Sequence, residues 1–95
     1  MDARKRAQAE VQLENDRVKV TEWRFAPGAA TGWHKHDWDY VVVPLTTGSL
    51  RLEEPGGSRV VQLTLGASYS RLAGVEHDVV NVNAFEFRFV EIELK

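Results

Sequence analysis

The stretch Gly28-Ala-Ala-Thr-Gly-Trp-His34-Lys-His36-Asp-Trp-Asp-Tyr40-Val-Val-Val-Pro44 decides how this chain reads. Two histidines two residues apart lead into a β-branched run, and the two-residue period of a strand points both imidazoles to one face. That geometry can seat one metal ion. Taken alone, such a pair more often means two strand histidines facing solvent or packing on neighbours, so its meaning rests on what surrounds it.

Outward from this segment, short stretches rich in Val, Leu, Thr, Phe and Trp are separated by Gly, Pro and Asn at close intervals. This is the punctuation of an all-β chain. The pattern predicts strands over Val18–Phe25, Gly32–Pro44, Ser49–Glu53, Ser58–Leu65, Ser68–Arg71, His77–Asn81 and Phe85–Leu94. Breaks fall at Pro27-Gly28, Thr46-Thr47-Gly48, Pro55-Gly56-Gly57, Gly66 and Ala73-Gly74. Strands joined by turns this brief make a sandwich or a barrel. Residues 1–10, rich in helix formers and poor in large apolar side chains, read as a short N-terminal helix or a frayed arm ahead of a barrel over residues 11–95. The cations Arg4, Lys5 and Arg6 could hold an anion there, although a solvated tail is the plainer reading.

The last predicted strand changes phase. Phe85, Phe87 and Phe89 alternate with Glu86 and Arg88, and then Val90, Ile92 and Leu94 alternate with Glu91 and Glu93. A one-residue shift sends side chains to the opposite face, so the strand either carries a bulge or buries one half in the barrel and the other against a partner.

Composition sets the outer limits. With 95 residues there is room for one core, and with no cysteine the zinc-thiolate sites, iron–sulfur clusters and thiol nucleophiles are excluded. Any metal must be held by nitrogen and oxygen. A net charge of −2 from well-mixed charges lacks the surplus that phosphate-backbone binding requires, so nucleic acid is not an expected partner. No apolar run approaches a membrane span or a signal peptide, which leads to the expectation of a cytoplasmic protein. A domain this small without disulfides leans on a bound metal or on association, and a homodimer is the default.

The spacing around the histidines carries a resemblance. Gly28 stands six positions before His34, Gly48 follows the strand pair, and Gly66, Gly74, His77 and Asn81 come downstream. These positions resemble the two motifs of the cupin family: Gly, five residues, His, one residue, His, three or four residues, Glu, six residues, Gly; then Gly, five residues, Pro, one residue, Gly, two residues, His, three residues, Asn. The match spans residues 28–81, and all three histidines of the chain fall on ligand positions. The resemblance implies a double-stranded β-helix, a jelly-roll-like barrel, whose facing hairpins converge on an interior point. It further implies one divalent metal ion (Fe, Ni, Zn, Mn or Cu) on His34, His36 and His77.

Two departures stand out. The motif proline is Leu72, and the motif glutamate is absent because its two allowed positions hold Tyr40 and Val41. Asp37 and Asp39 lie close by, but strand parity points them away from the histidine face unless a bulge intervenes. A set of three neutral histidines is similar to that of the three-histidine cupins, which include thiol and diketone-cleaving dioxygenases, and suits an anionic or chelating ligand. As a whole the chain is similar to small bacterial cupins associated with β-alanine degradation.

Trp38 and Tyr40 share the parity of the histidines, so both are expected to line a substrate pocket together with Tyr69, with Trp33 nearby and core packing as the rival role. Tyr40 is the catalytic candidate, donating a hydrogen bond to a bound substrate. Trp23 and Phe25 read as core or interface residues. Glu76, Asp78 and Arg71 flank the second motif, where a solvated surface is the plainer role. The expected function is that of a metal-dependent enzyme acting on a small polar metabolite. A binding module without turnover and a structural dimer with a decayed site are the alternatives.

Overall fold

The computed structural model describes residues 5–95. Nine strands follow one another: β1 (Gln8–Glu14), β2 (Val18–Phe25), β3 (His34–Lys35), β4 (Asp39–Pro44), β5 (Gly48–Glu54), β6 (Gly57–Leu63), β7 (Tyr69–Arg71), β8 (Glu76–Asn81) and β9 (Phe87–Leu94). They form a five-stranded sheet in the order β1-β2-β9-β4-β7 and a four-stranded sheet in the order β3-β8-β5-β6. Neighbouring strands run antiparallel. This is the double-stranded β-helix the motifs imply.

The core lies between the sheets, where each strand's inward residues alternate with outward ones. Phe25, Phe87 and Phe89 from the larger sheet meet Leu50, Leu52 and Val79 from the smaller one. Two motif residues turn out to be structural. A Cβ on Gly48 would sit 2.8 Å from Asn83 Oδ1, so the bare backbone admits that side chain. Asn81, buried at the end of β8, donates through Nδ2 to the carbonyls of Phe25, Ala26 and Phe85, and its Oδ1 accepts from the backbone of Asn83. It thereby pins the exit of β2 to the loop before β9.

Two expectations need correcting, and of the two alternatives for the last strand one is excluded. Among the described residues there is no helix: Gln8–Glu10, read as part of an arm or helix, belong to β1, while residues 1–4 lie outside the described part. Helix propensity yields here to backbone pairing with β2, and because every residue of β1 is exposed the strand carries no alternating pattern to betray it. The predicted strand Gly32–Pro44 is two strands, interrupted at residues 36–38. Finally, β9 has no bulge. Its register runs unbroken against β2 from Phe25↔Phe87 to Val18↔Leu94, and against β4 from Pro44↔Phe89 to Asp39↔Leu94. The inward face therefore passes from Phe87 and Phe89 straight to Glu91, and the barrel interior becomes acidic where the apolar phase flips.

Candidate metal centre

His34 and His77 are direct cross-strand partners in the β3–β8 pair, an arrangement that brings side chains of one face to within roughly 5 Å at Cβ. His36 lies just past β3 and is aimed by its main chain. Its N–H donates to Val75 O at 2.9 Å, and the Gly74 N–H donates to His36 O at 2.8 Å. Gly74 turns the chain there with φ of +94°, which a side-chain-bearing residue rarely adopts. The backbone thus laces the first motif to the second, and the three rings meet edge to face.

His36 Nε2 stands 3.1 Å from His34 Nε2 and 3.1 Å from His77 Nε2. Two nitrogens held by one ion at about 2.1 Å are about 3.0 Å apart at a right angle and about 3.4 Å apart at a tetrahedral angle. Both separations about His36 are therefore compatible with a shared ion, which His34, His36 and His77 would hold. His34 Nδ1 lies 2.9 Å from Gly32 O, and its N–H there leaves the Nε2 lone pair for the centre. Burial, helped by His34 and Arg71, lowers the His36 pKa to about 4; burial, helped by both other histidines, lowers that of His77 to about 3. Both rings are neutral near pH 7, the form that binds metal. The donor set fits a divalent transition metal.

A cavity opens beside the rings, with apolar walls that include Leu50, Leu52, Val79 and Phe89. Its polar lining is Tyr40, Tyr69, Arg71, Thr31 and Glu91, with Trp23 alongside. Tyr40 is 2% exposed and stacks on His36 with ring centroids 3.9 Å apart and planes inclined by 19°. Its hydroxyl has no protein partner, and burial raises its pKa well above the usual phenol range. Tyr69, also pushed upward by burial, and Arg71 stand on β7 at the cavity wall, with Arg71 Nη2 3.4 Å from Glu54 Oε2.

Trp38, which strand parity places in the pocket, does not line this cavity; Lys95 Nζ sits 5.6 Å above its ring instead. Parity fails because the strand is broken at residues 36–38. Trp33 is exposed, as is Asp37, while Asp39 accepts a bond from the Ala73 N–H at 2.8 Å, away from the histidines. Asp78 accepts from the Gly32 N–H at 3.0 Å and holds the approach to β3, and Glu76 is exposed opposite Lys35. Val41 faces out of the barrel beside Ile92.

The residue that sequence reasoning missed is Glu91. It is 8% exposed, and its Oε2 lies 3.9 Å from His36 Nε2. His36, Glu91 and Glu93 offer ligand atoms all within 4.8 Å of one another. The Trp23 indole donates to Glu91, yet burial, reinforced by the charge of Glu93, raises its pKa to about 7. The signal was present in the sequence: extending the period of Phe85, Phe87 and Phe89 by one step puts Glu91 inside.

The chain is 57% identical, over the full 95 residues of both proteins, to the β-alanine degradation protein BauB of Pseudomonas aeruginosa PAO1. A crystal structure of a cupin domain from Bordetella pertussis Tohama I superposes with a TM-score of 0.98 at 60% identity, covering 100% of this chain and 99% of that one. The polyketide cyclase RemF of Streptomyces resistomycificus shares the fold at a TM-score of 0.74 and 21% identity, over 98% of this chain and 70% of its own. No family model matches the chain.

Proposed function

This chain belongs to the cupin family, and on that premise we propose that it is a metal-dependent enzyme acting on a small anionic metabolite, with one divalent ion on His34, His36 and His77. The observation that carries the reading is the convergence of three imidazole nitrogens, 3.1 Å apart about His36, at the wall of a cavity that also presents a guanidinium. When bound, the ion supplies Lewis acidity and, if it is ferrous iron, the oxygen-activating chemistry of a dioxygenase.

The chain's own residues do the rest. Arg71 meets a substrate carboxylate, a pairing that its planar fork of donors favours. The unpartnered Tyr40 hydroxyl donates to a substrate oxygen, and the aliphatic walls exclude water so that both contacts strengthen. A role in β-alanine degradation, the process for which the Pseudomonas relative is named, is consistent with a short carboxylate as substrate.

The test has two steps. Protein purified without added metal is expected to carry about one equivalent of a transition metal, and His77→Ala to lose it; full occupancy in that variant would remove His77 from the ligand set. After ferrous reconstitution, oxygen uptake is then measured with thiols, diketones and short carboxylates, and metal without any turnover would favour a binding module.

The protein is further proposed to work as a homodimer. Val20, Ile92 and Val41 form one aliphatic row across the outer face of β2, β9 and β4, with Val90 and Val43 beside it. A second copy suits this face because its rim carries both charge signs, in the Glu22–Arg88 and Arg24–Glu10 pairs. Sedimentation is expected to give a dimer and Ile92→Glu a monomer; a monomeric parent protein would end the proposal.

A further inference from the structure

The family's motif places a carboxylate on the strand that follows the histidine pair, and of its two allowed positions here, Tyr40 and Val41, only Tyr40 faces inward. A glutamate there would share the inward face of β4 with Val42, whose cross-strand partner on β9 is Glu91; the partner of Tyr40 itself is Glu93. Two acids thus stand across the sheet from the vacated position, on the same side of it. Glu91 reaches the histidines: its oxygen is 3.9 Å from His36 Nε2, and it lines the same cavity as His34 and His77.

We propose that Glu91 furnishes the carboxylate ligand of the metal centre, supplied from the last strand in place of the residue the family draws from β4. The inference rests on the three-histidine reading and extends it to a fourth donor on a strand outside both motifs. Ligand bonds of roughly 2.0–2.2 Å on either side of one ion allow a nitrogen and an oxygen to stand up to about 4.3 Å apart; the His36–Glu91 separation falls within that limit, while Glu91 groups with His36 and Glu93 and not with all three histidines, so its carboxylate must turn toward His34 and His77 to complete the set.

Three features prepare Glu91 for the role. It is nine-tenths buried, and among the described residues no Lys or Arg stands within ion-pair distance of it, so a cation is the counter-charge that would suit it. The Trp23 indole donates to it, the kind of outer hydrogen bond that orients a ligating carboxylate. Tyr40, buried with its hydroxyl unpartnered and its ring flat on His36, fills the space a motif glutamate would need and leaves the β9 acid as the carboxylate at the cavity. Glu93, less buried and one step further along β9, is the comparison residue.

The experiment titrates Co2+ into metal-free parent protein, Glu91→Gln, Glu93→Gln and His77→Ala, reading affinity by calorimetry and ligand field by visible absorption. Glu91→Gln is expected to bind at least roughly 10- to 100-fold more weakly and to change the absorption bands, because an oxygen donor is lost. Glu93→Gln is expected to leave the bands unchanged. A weaker affinity with unaltered bands would mean that Glu91 acts only through its charge, and would overturn its role as a ligand; so would parent-like binding by Glu91→Gln. Parent-like binding by His77→Ala would instead overturn the three-histidine reading. Glu91→Gln keeps the shape of the side chain and removes a buried charge, so the metal-free variant is expected to fold, as circular dichroism will register.

Discussion

Tyr40 shows how one side chain can be costly to stability and useful to chemistry. A buried hydroxyl without a partner costs roughly 1–3 kcal/mol, which Tyr40→Phe would recover by removing the polar atom while keeping the ring on His36. Urea denaturation of metal-free protein is therefore expected to show the variant about 1 kcal/mol more stable than the parent. Metal affinity is expected to hold, and turnover to fall by roughly 10- to 100-fold if the hydroxyl orients substrate. The sequence makes the three histidines legible because ligand chemistry and spacing are both local signals. Glu91 is harder to see, since its partner His36 is distant in the chain and glutamates in a strand ordinarily face water. Trp38 misleads for the opposite reason: parity counts residues, and it cannot see that the strand stops at residues 36–38.

Among the elements, the strands with an alternating or β-branched signature are legible almost to their ends: β2 spans Val18–Phe25 as its pattern predicts, and β8 differs from expectation by one residue. β1 is invisible because none of its residues is buried, so that pairing alone defines it. The junction between β2, β8 and the loop before β9 depends on a single amide. Asn81→Leu fits the apolar surroundings yet leaves the carbonyls of Phe25, Ala26 and Phe85 without their shared donor. Its expected cost is about 2–4 kcal/mol in chemical denaturation. A loss below about 0.5 kcal/mol would show that water replaces those bonds. At the turn between β5 and β6, Arg59 and Arg71 hold Glu54 below the ordinary carboxylate range. A lowered folded-state pKa adds stability above the unfolded value and loses it as the pH falls through the folded value. Glu54→Gln is accordingly expected to lower stability above the ordinary glutamate range and to flatten the acid limb below it, where the difference from the parent closes; an unchanged acid limb would count against the ion pairs.

For the molecule as a whole, a domain of 95 residues with no cysteine has few means of stabilisation beyond its core, and a bound ion is one of them. Free metal at about a thousand times its dissociation constant adds about 4 kcal/mol, or roughly 15–30 °C in melting temperature for a chain this size. Calorimetric melting with and without metal is expected to show that shift in the parent protein and to lose most of it in His77→Ala. The two main-chain bonds that join His36 to Gly74 and Val75 have a further consequence for how that stabilisation is distributed. Amides 36 and 74 shelter each other, so stripping the ion is expected to let deuterium into both on a common time course. Uptake at one without the other would mean that the halves of the chelate breathe separately.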